Sequence, residues 1–480
     1  MLSPGTTRGR PPSGGKVPGG TSPDSRARGG LAPRRCKTTG RWWATSMLSS
    51  ALLAAGVLTT GTPAARLAPL TASAATATCP ALPALGTGAP VVVAATTTDS
   101  EPGVVAGSGC EVYVDAPPGL LSSLPTSPSD VYASSDGGGT WTKASYGMRS
   151  LFPGGGDASL AIDPGTGELG LADLWLGDTT VSTSSDGGQS WTSNPLGSLV
   201  LEDRPWLAAA GNGVYYLAYH QVPLGIMVAR SVAGILYPLP EIAATALDQG
   251  GCICPSGNVI TMNAGGSLGT GDVGVIYTTS SGGVMFARST DGGSTFSQRT
   301  IAANQGDVIG FPIVAQSSGN DLIAVWNVET AATNGGTSAV FESRSGDWGS
   351  TWSPPTALVT AGGSVYPWVA ANGSTVAVSM YHTTTTTAPD SAPKSASWYE
   401  TAMVSTDGGA SFSPIVVADP SAVTTGVVCT AGTSCSSGRE LGDFQSVAIG
   451  SGGRVYLSYV NSLANASSGA NQVRLVAGAA

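Results

Sequence analysis

The chain has 480 residues, with 30 Asp and Glu against 21 Lys and Arg, and a formal net charge of −9. Its 68 Gly and 32 Pro suit many short strands joined by tight turns, and no 3.6-residue apolar period runs far enough for a sizeable helix. The acidic balance repels nucleic acid and anionic membrane and excludes both as partners.

Residues 1–46 carry nine Lys or Arg, one Asp and much Gly, Pro and Ser, the composition of a disordered basic leader. An apolar stretch from Met47 to Thr59 follows, then small residues and Ala72-Ser73-Ala74. A basic region, a short apolar core and an Ala-x-Ala site read as a secretory signal over 47–74, with cleavage near Ala74 and a secreted product. The apolar core is shorter than the roughly 20 residues a span needs, so no membrane span is expected in the mature chain. Arg34-Arg35 hints at twin-arginine export; an uncleaved anchor, or a true start downstream of Met1, are the alternatives. Residues 1–74 hold ten Lys or Arg and one Asp, so removing them takes the charge from −9 to −18.

Residues 75–480 read as one repeat domain. An octapeptide occurs five times: SSDGGGTW (134–141), SSDGGQSW (184–191), STDGGSTF (289–296), SGDWGSTW (345–352) and STDGGASF (405–412). Its Asp can accept hydrogen bonds from backbone N–H groups further on, Gly supplies positive φ, and the closing aromatic begins the return strand. Asp136, Asp186, Asp291, Asp347 and Asp407 are therefore structural. The pattern Ser-x-Asp-x-Gly-x-(Ser/Thr)-(Trp/Phe) resembles the Asp box, or BNR repeat, of exported sialidase-like β-propellers. The resemblance implies an all-β propeller of blades with up to four antiparallel strands.

A second repeat lies between the octapeptides: an inner strand, a Gly-containing turn and an aromatic-rich strand. The clearest copies are RPWLAAAGNGVYYLAYH (204–220), FPIVAQSSGNDLIAVWN (311–327), YPWVAANGSTVAVSMYH (366–382) and FQSVAIGSGGRVYLSYV (444–460), with weaker ones at 159–175, 258–279 and near 90–115. That spacing counts seven blades, six being the alternative. Unit 3 has a decayed box at 231–234. Unit 7 lacks an outer strand, which Val91-Val92-Val93-Ala94 can supply to close the ring. Residues 383–397, with five consecutive Thr, read as a solvated insertion. The six cysteines after the signal suit an exported disulfide-bonded protein, with pairs Cys79–Cys110 and Cys429–Cys435; the pairing of Cys252 and Cys254 stays open. With His only at 220 and 382, no zinc set is evident, and no cofactor is expected.

In a four-stranded blade the octapeptides occupy one face, and the starts of inner strands and ends of second strands occupy the other. On that second face stand Asp203, Arg204, Tyr366, Arg439, Glu440 and Asp443 as candidate catalytic groups. His220, Trp326, Tyr381, His382 and Tyr459 stand there as candidate ligand-binding groups. Aromatic rings beside carboxylates and Arg are what a sugar site uses. Pro205 biases Arg204 toward an extended conformation, with its fork at the channel mouth. Sialidases use three Arg on the substrate carboxylate, a Tyr–Glu nucleophile pair and an Asp acid/base. Arg204-Pro205-Trp206-Leu207 is similar in placement to the family's first Arg motif but lacks its Ile, and only nine Arg follow residue 74. The expected function is an exported, monomeric propeller that acts on or binds glycans. Its most concrete form is an exo-sialidase-type or two-carboxylate glycoside hydrolase. A non-catalytic carbohydrate- or protein-binding propeller and a purely structural exported protein are the alternatives.

Overall fold

Alternating runs such as Val214–Gln221 (VYYLAYHQ) form strands because every second side chain enters a core. The computed structural model describes residues 79–480, apart from 119–127, 145–153, 263–270, 330–335 and scattered positions between 176 and 255; the leader and signal region lie outside the described residues.

Seven antiparallel sheets follow one another: blade 1 (103–144), blade 2 (158–194), blade 3 (202–245), blade 4 (256–302), blade 5 (307–359), blade 6 (363–417) and blade 7 (446–479). Each has four strands in simple up-and-down order, and blade 6 gains the short extra strand Thr424–Thr425. Blade 7 supplies only three strands in sequence order. Val91–Thr97 becomes its fourth by pairing antiparallel with Ala470–Ala479. Val91–Thr97 and Ala470–Ala479 thus share one sheet, which closes the ring as the sequence suggested. The inner strand of blade 7, Ser446–Gly450, abuts that of blade 1, Gly103–Ala106. The fold is a seven-bladed β-propeller. Among the described residues the helical elements are two single 3₁₀ turns, Pro389–Ser391 and Gly432–Ser434.

All five octapeptides join the third strand of a blade to its outer strand and close in the same way. In blade 4, Asp291 Oδ1 accepts from Ser289 Oγ (2.7 Å), Ser294 N (3.0 Å) and Thr295 N (2.9 Å), and Oδ2 accepts from Thr295 Oγ1 (2.6 Å). The tight turn needs left-handed backbone, which Gly292 and Gly293 adopt at φ 73° and 88°. Each turn also leans on the blade before it: Gly293 lies against Tyr216 of blade 3, and Gly349 against Phe286 of blade 4. The decayed copy in blade 3 keeps Ser231, whose Oγ accepts from Tyr215 N.

Three disulfides are present. Cys79–Cys110 ties the segment before the closing strand to blade 1, Cys429–Cys435 braces the loop before blade 7, and Cys252 pairs with Cys254. The insertion at 383–397 is less solvated than its Thr run implied. Ala388, Ala392 and Ala396 are buried, and Ala392 and Ala396 pack with Val423 and Val428. Small apolar residues spaced through the polar run carry that packing.

Candidate functional site

Antiparallel alternation puts the starts of inner strands and the ends of second strands on the face opposite the octapeptide turns. Three dipeptides entering inner strands on that face share a conformation: Glu101-Pro102, Arg204-Pro205 and Tyr366-Pro367. The residue before each proline is left-handed, at φ 52°, 55° and 55°. For Arg204 this corrects the extended conformation expected from Pro205. The inner strand carries one extra residue between Asp203 and Trp206, and the blade 6 strand one between Val365 and Trp368. Each bulge absorbs that residue by turning the chain at its left-handed position. Left-handed non-glycine residues cost on the order of 1–3 kcal/mol each, and surrounding structure must hold them.

What holds Arg204 is a chain of alternating charges across four blades. Arg204 Nη1 donates to Glu101 Oε2 at 2.9 Å and lies 3.2 Å from Asp157 Oδ1. Glu101 Oε1 lies 3.5 Å from Arg439 Nη2 and accepts from Asp443 N at 2.9 Å. Arg439 grips Asp443 with both arms of its fork, Nε to Oδ1 at 3.2 Å and Nη2 to Oδ2 at 2.6 Å. Gly442 lets the backbone pass over Glu101, since a Cβ there would meet Glu101 Cγ at 2.3 Å. Arg204 is buried, not projecting at an open mouth: its side chain is 3% exposed, against 18–20% for Arg439, Asp443 and Asp157. Those three, with half-buried Asp203, form the accessible rim.

Beneath the rim the axis is filled by rings. The Arg204 guanidinium sits 4.2 Å from the ring centroids of both Trp206 and Phe444, and 5.3 Å from that of Phe311. Trp368 stacks on Phe444 at 5.3 Å. Rings from blades 3, 5, 6 and 7 therefore meet under one cation, a favourable geometry for cation–π attraction.

Asp203 and Glu101 titrate late. Burial, then Asp157, pushes Asp203 up to about 7 against the pull of Arg204. Burial, then Asp443 and Asp157, pushes Glu101 up to about 8 against Arg204 and Arg439. Deeper in blades 1 and 2, Asp115 and Asp173 rise to about 7, chiefly through burial. Asp173 accepts from Ser129 N, Ser129 Oγ and Gly155 N, whereas among the described residues the carboxyl oxygens of Asp115 meet no partner beyond its own backbone. Glu202 lies well above its ordinary range through burial, and Thr179 donates to it.

Of the residues singled out in the sequence, Asp203, Arg204, Arg439 and Asp443 come together. Tyr366 faces the cluster but is buried, its hydroxyl donating to Cys429 O at 3.1 Å, and burial holds that hydroxyl well above its usual range. Glu440 is exposed, and it is its carbonyl that is engaged, accepting from Asn471 Nδ2. The aromatic and His set does not form an open face. Trp326, Tyr381 and Tyr459 are fully buried. The Tyr381 hydroxyl accepts from Val460 N, and that of Tyr459 donates to Asp419. His220 is buried and pushed down to about 4 by burial, and half-buried His382 shares a hydrogen with Ser364 Oγ at 3.0 Å. The ends of second strands are wedged between blades, so rings placed there fill the interblade core.

Glu101, Asp157, Asp115 and Asp173 went unread because they lie in the degenerate first and second repeat copies. The pre-proline position shared by Glu101, Arg204 and Tyr366 was the usable signal. Among the described residues no cluster of three or more His, Cys, Asp or Glu has metal-binding geometry, and no helix is long and apolar enough to cross a membrane.

No protein-family model matches the chain, and no curated protein matches it. Among solved structures it is similar to an α-L-arabinofuranosidase from Fusarium graminearum, at 14% identity over 82% of this chain and 98% of that one, with a TM-score of 0.48. It is also similar to a Hadza microbial sialidase (16%, 81% and 68%, TM-score 0.40) and to an intramolecular trans-sialidase from Ruminococcus gnavus (14%, 81% and 96%, TM-score 0.39).

Proposed function

We propose that this is an exported, glycan-acting propeller, a glycoside hydrolase whose chemistry rests on carboxyl groups at the channel mouth. The observation that carries the reading is Asp203: a half-buried carboxyl raised to about 7, facing Asp157 and Asp443 on the face away from the structural turns. An acid protonated near neutral pH can donate to a leaving glycosidic oxygen, and a second carboxyl group across the cleft serves as base or nucleophile. Asp203 takes the donor role and Asp157, the first carboxylate facing it, the partner role. Arg439, on the rim, orients hydroxyls, and Arg204 holds Asp157 from below.

An exo-sialidase reading would need arginines free to take a sugar carboxylate. Arg204 and Arg439 are already paired with Glu101, Asp157 and Asp443. A neutral glycan fits this acidic rim better than an anionic one. The test is a panel of chromogenic pyranosides and furanosides plus a fluorogenic sialoside, assayed on wild type, Asp203→Asn and Asp157→Asn. Turnover of a neutral glycoside that both substitutions abolish supports the reading. A folded wild type that turns over nothing refutes it, and preference for the sialoside restores the exo-sialidase form.

A further inference from the structure

The three disulfides differ in what they accomplish. Cys79–Cys110 closes a separation of 31 residues and Cys429–Cys435 one of 6, whereas Cys252–Cys254 spans 2. A cross-link stabilises chiefly by restricting the unfolded chain, and the effect grows with the loop it closes. Joining two positions separated by a single residue restricts almost nothing. Hydrogen bonds independent of the cross-link also hold the described part of the loop. Gln249 N donates to Thr245 O, Gly251 N to Ala246 O, Ser280 N to Gln249 O, and the Gln249 side chain to Cys254 O at 2.7 Å.

Its placement is also distinctive. The loop runs from the outer strand of blade 3 to the inner strand of blade 4, on the same face as the carboxyl rim. Cys254 is fully buried while Cys252 is partly exposed, so one sulfur alone is open to attack. Behind the pair, the Gln249 side chain that donates to Cys254 O lies beside His220, which stands opposite Asp203 in the strand pairing.

We propose that Cys252–Cys254 is a thiol–disulfide exchange site. An external thiolate attacks Cys252 Sγ. The new sulfur–sulfur bond forms as the Cys252–Cys254 bond breaks, and Cys254 Sγ leaves as a thiolate that takes the proton released by the incoming thiol. A second external thiol, attacking the mixed disulfide, frees Cys252 and departs as the oxidised thiol pair, so two electrons pass to the protein. In reverse, the Cys254 thiolate attacks Cys252 Sγ and expels the bound thiol. Exposed disulfides with little structural role are the labile ones.

Graded glutathione buffers, acid quenching, alkylation and peptide mass spectrometry test the site on the wild-type chain. Cys252–Cys254 should open at a thiol-to-disulfide ratio at least tenfold milder than either other pair. The Cys254→Ser variant should form a mixed disulfide at Cys252 with oxidised glutathione. The Cys252→Ser/Cys254→Ser double variant should melt within about 2 °C of wild type, while Cys79→Ser melts lower. The proposal is overturned by reduction of this pair only together with the other two, by absence of the mixed disulfide, or by a double variant as destabilised as Cys79→Ser. None of these readouts involves glycan turnover, so the outcome is separate from that of the hydrolase reading.

Discussion

Glu101 Oε2 accepts a hydrogen bond from Arg204 Nη1 across 103 residues of sequence, and both side chains are at most 5% exposed. Glu101 follows the strand that closes the ring and Arg204 enters blade 3, so the contact ties the segment after the closing strand to blade 3. Breaking one partner of a buried ion pair leaves an uncompensated charge and costs about 3–5 kcal/mol. In urea unfolding at pH 9, where Glu101 is ionised, Glu101→Ala and Arg204→Ala should each lose that much. The double variant should lose less than the sum by about 1–3 kcal/mol. Single losses below 1 kcal/mol would mean that the contact is solvent-screened and the network is not a unit.

The rate of glycoside hydrolysis should fall as pH rises through about 7. Asp203 is raised to about 7, so the donor is protonated below that value and ionised above it. Profiles of kcat/KM against pH would show the alkaline limb. Asp203→Asn should lower the rate by about 10²-fold or more. A rate that climbs between pH 6 and 9 would contradict a protonated donor.

Stability should peak in mild acid. Asp115, Asp173 and Asp203 at about 7 and Glu101 at about 8 all sit above their unfolded values near 4. Between about pH 4 and 8 the native state therefore binds more protons than the unfolded one, and stability falls as pH rises. The octapeptide acids act oppositely. Asp186 and Asp291 are lowered to about 2, Asp186 first by its Ser190 hydrogen bond and Asp291 first by that of Thr295. Their contribution, present above about 4, is lost as pH falls toward 2. Urea midpoints at pH 3, 4.5 and 8 should be highest at 4.5, and a maximum at pH 8 would rule this out.

Asp291→Ala should cost about 1–3 kcal/mol, because Ser289, Ser294 and Thr295 lose their acceptor. The turn lies on the face away from the rim, so kinetic constants of the folded variant should match wild type. A stable variant with abolished turnover would move the active site to the turn face.

Much of the architecture was legible in residue patterns. The octapeptides, the second repeat and the surplus run Val91-Val92-Val93-Ala94 specified hairpins, blade order and ring closure, because turn chemistry and strand alternation are local and recur with each copy. Cys79–Cys110 and Cys429–Cys435 were readable too. The site was legible only in part. Asp203, Arg204, Arg439 and Asp443 could be placed on one face by topology, yet no local rule told that Arg204 would be sealed under Glu101 and over Trp206, Phe311 and Phe444. Those partners come from four blades, and burial is a property of the closed ring. The same holds for Tyr381, Trp326 and Tyr459, which look like binding aromatics along a strand and become interblade packing once neighbouring sheets wedge against them. Repeat position is written in the chain; which side chains face water, and which carboxyls therefore keep their protons, is decided only when seven sheets meet around an axis.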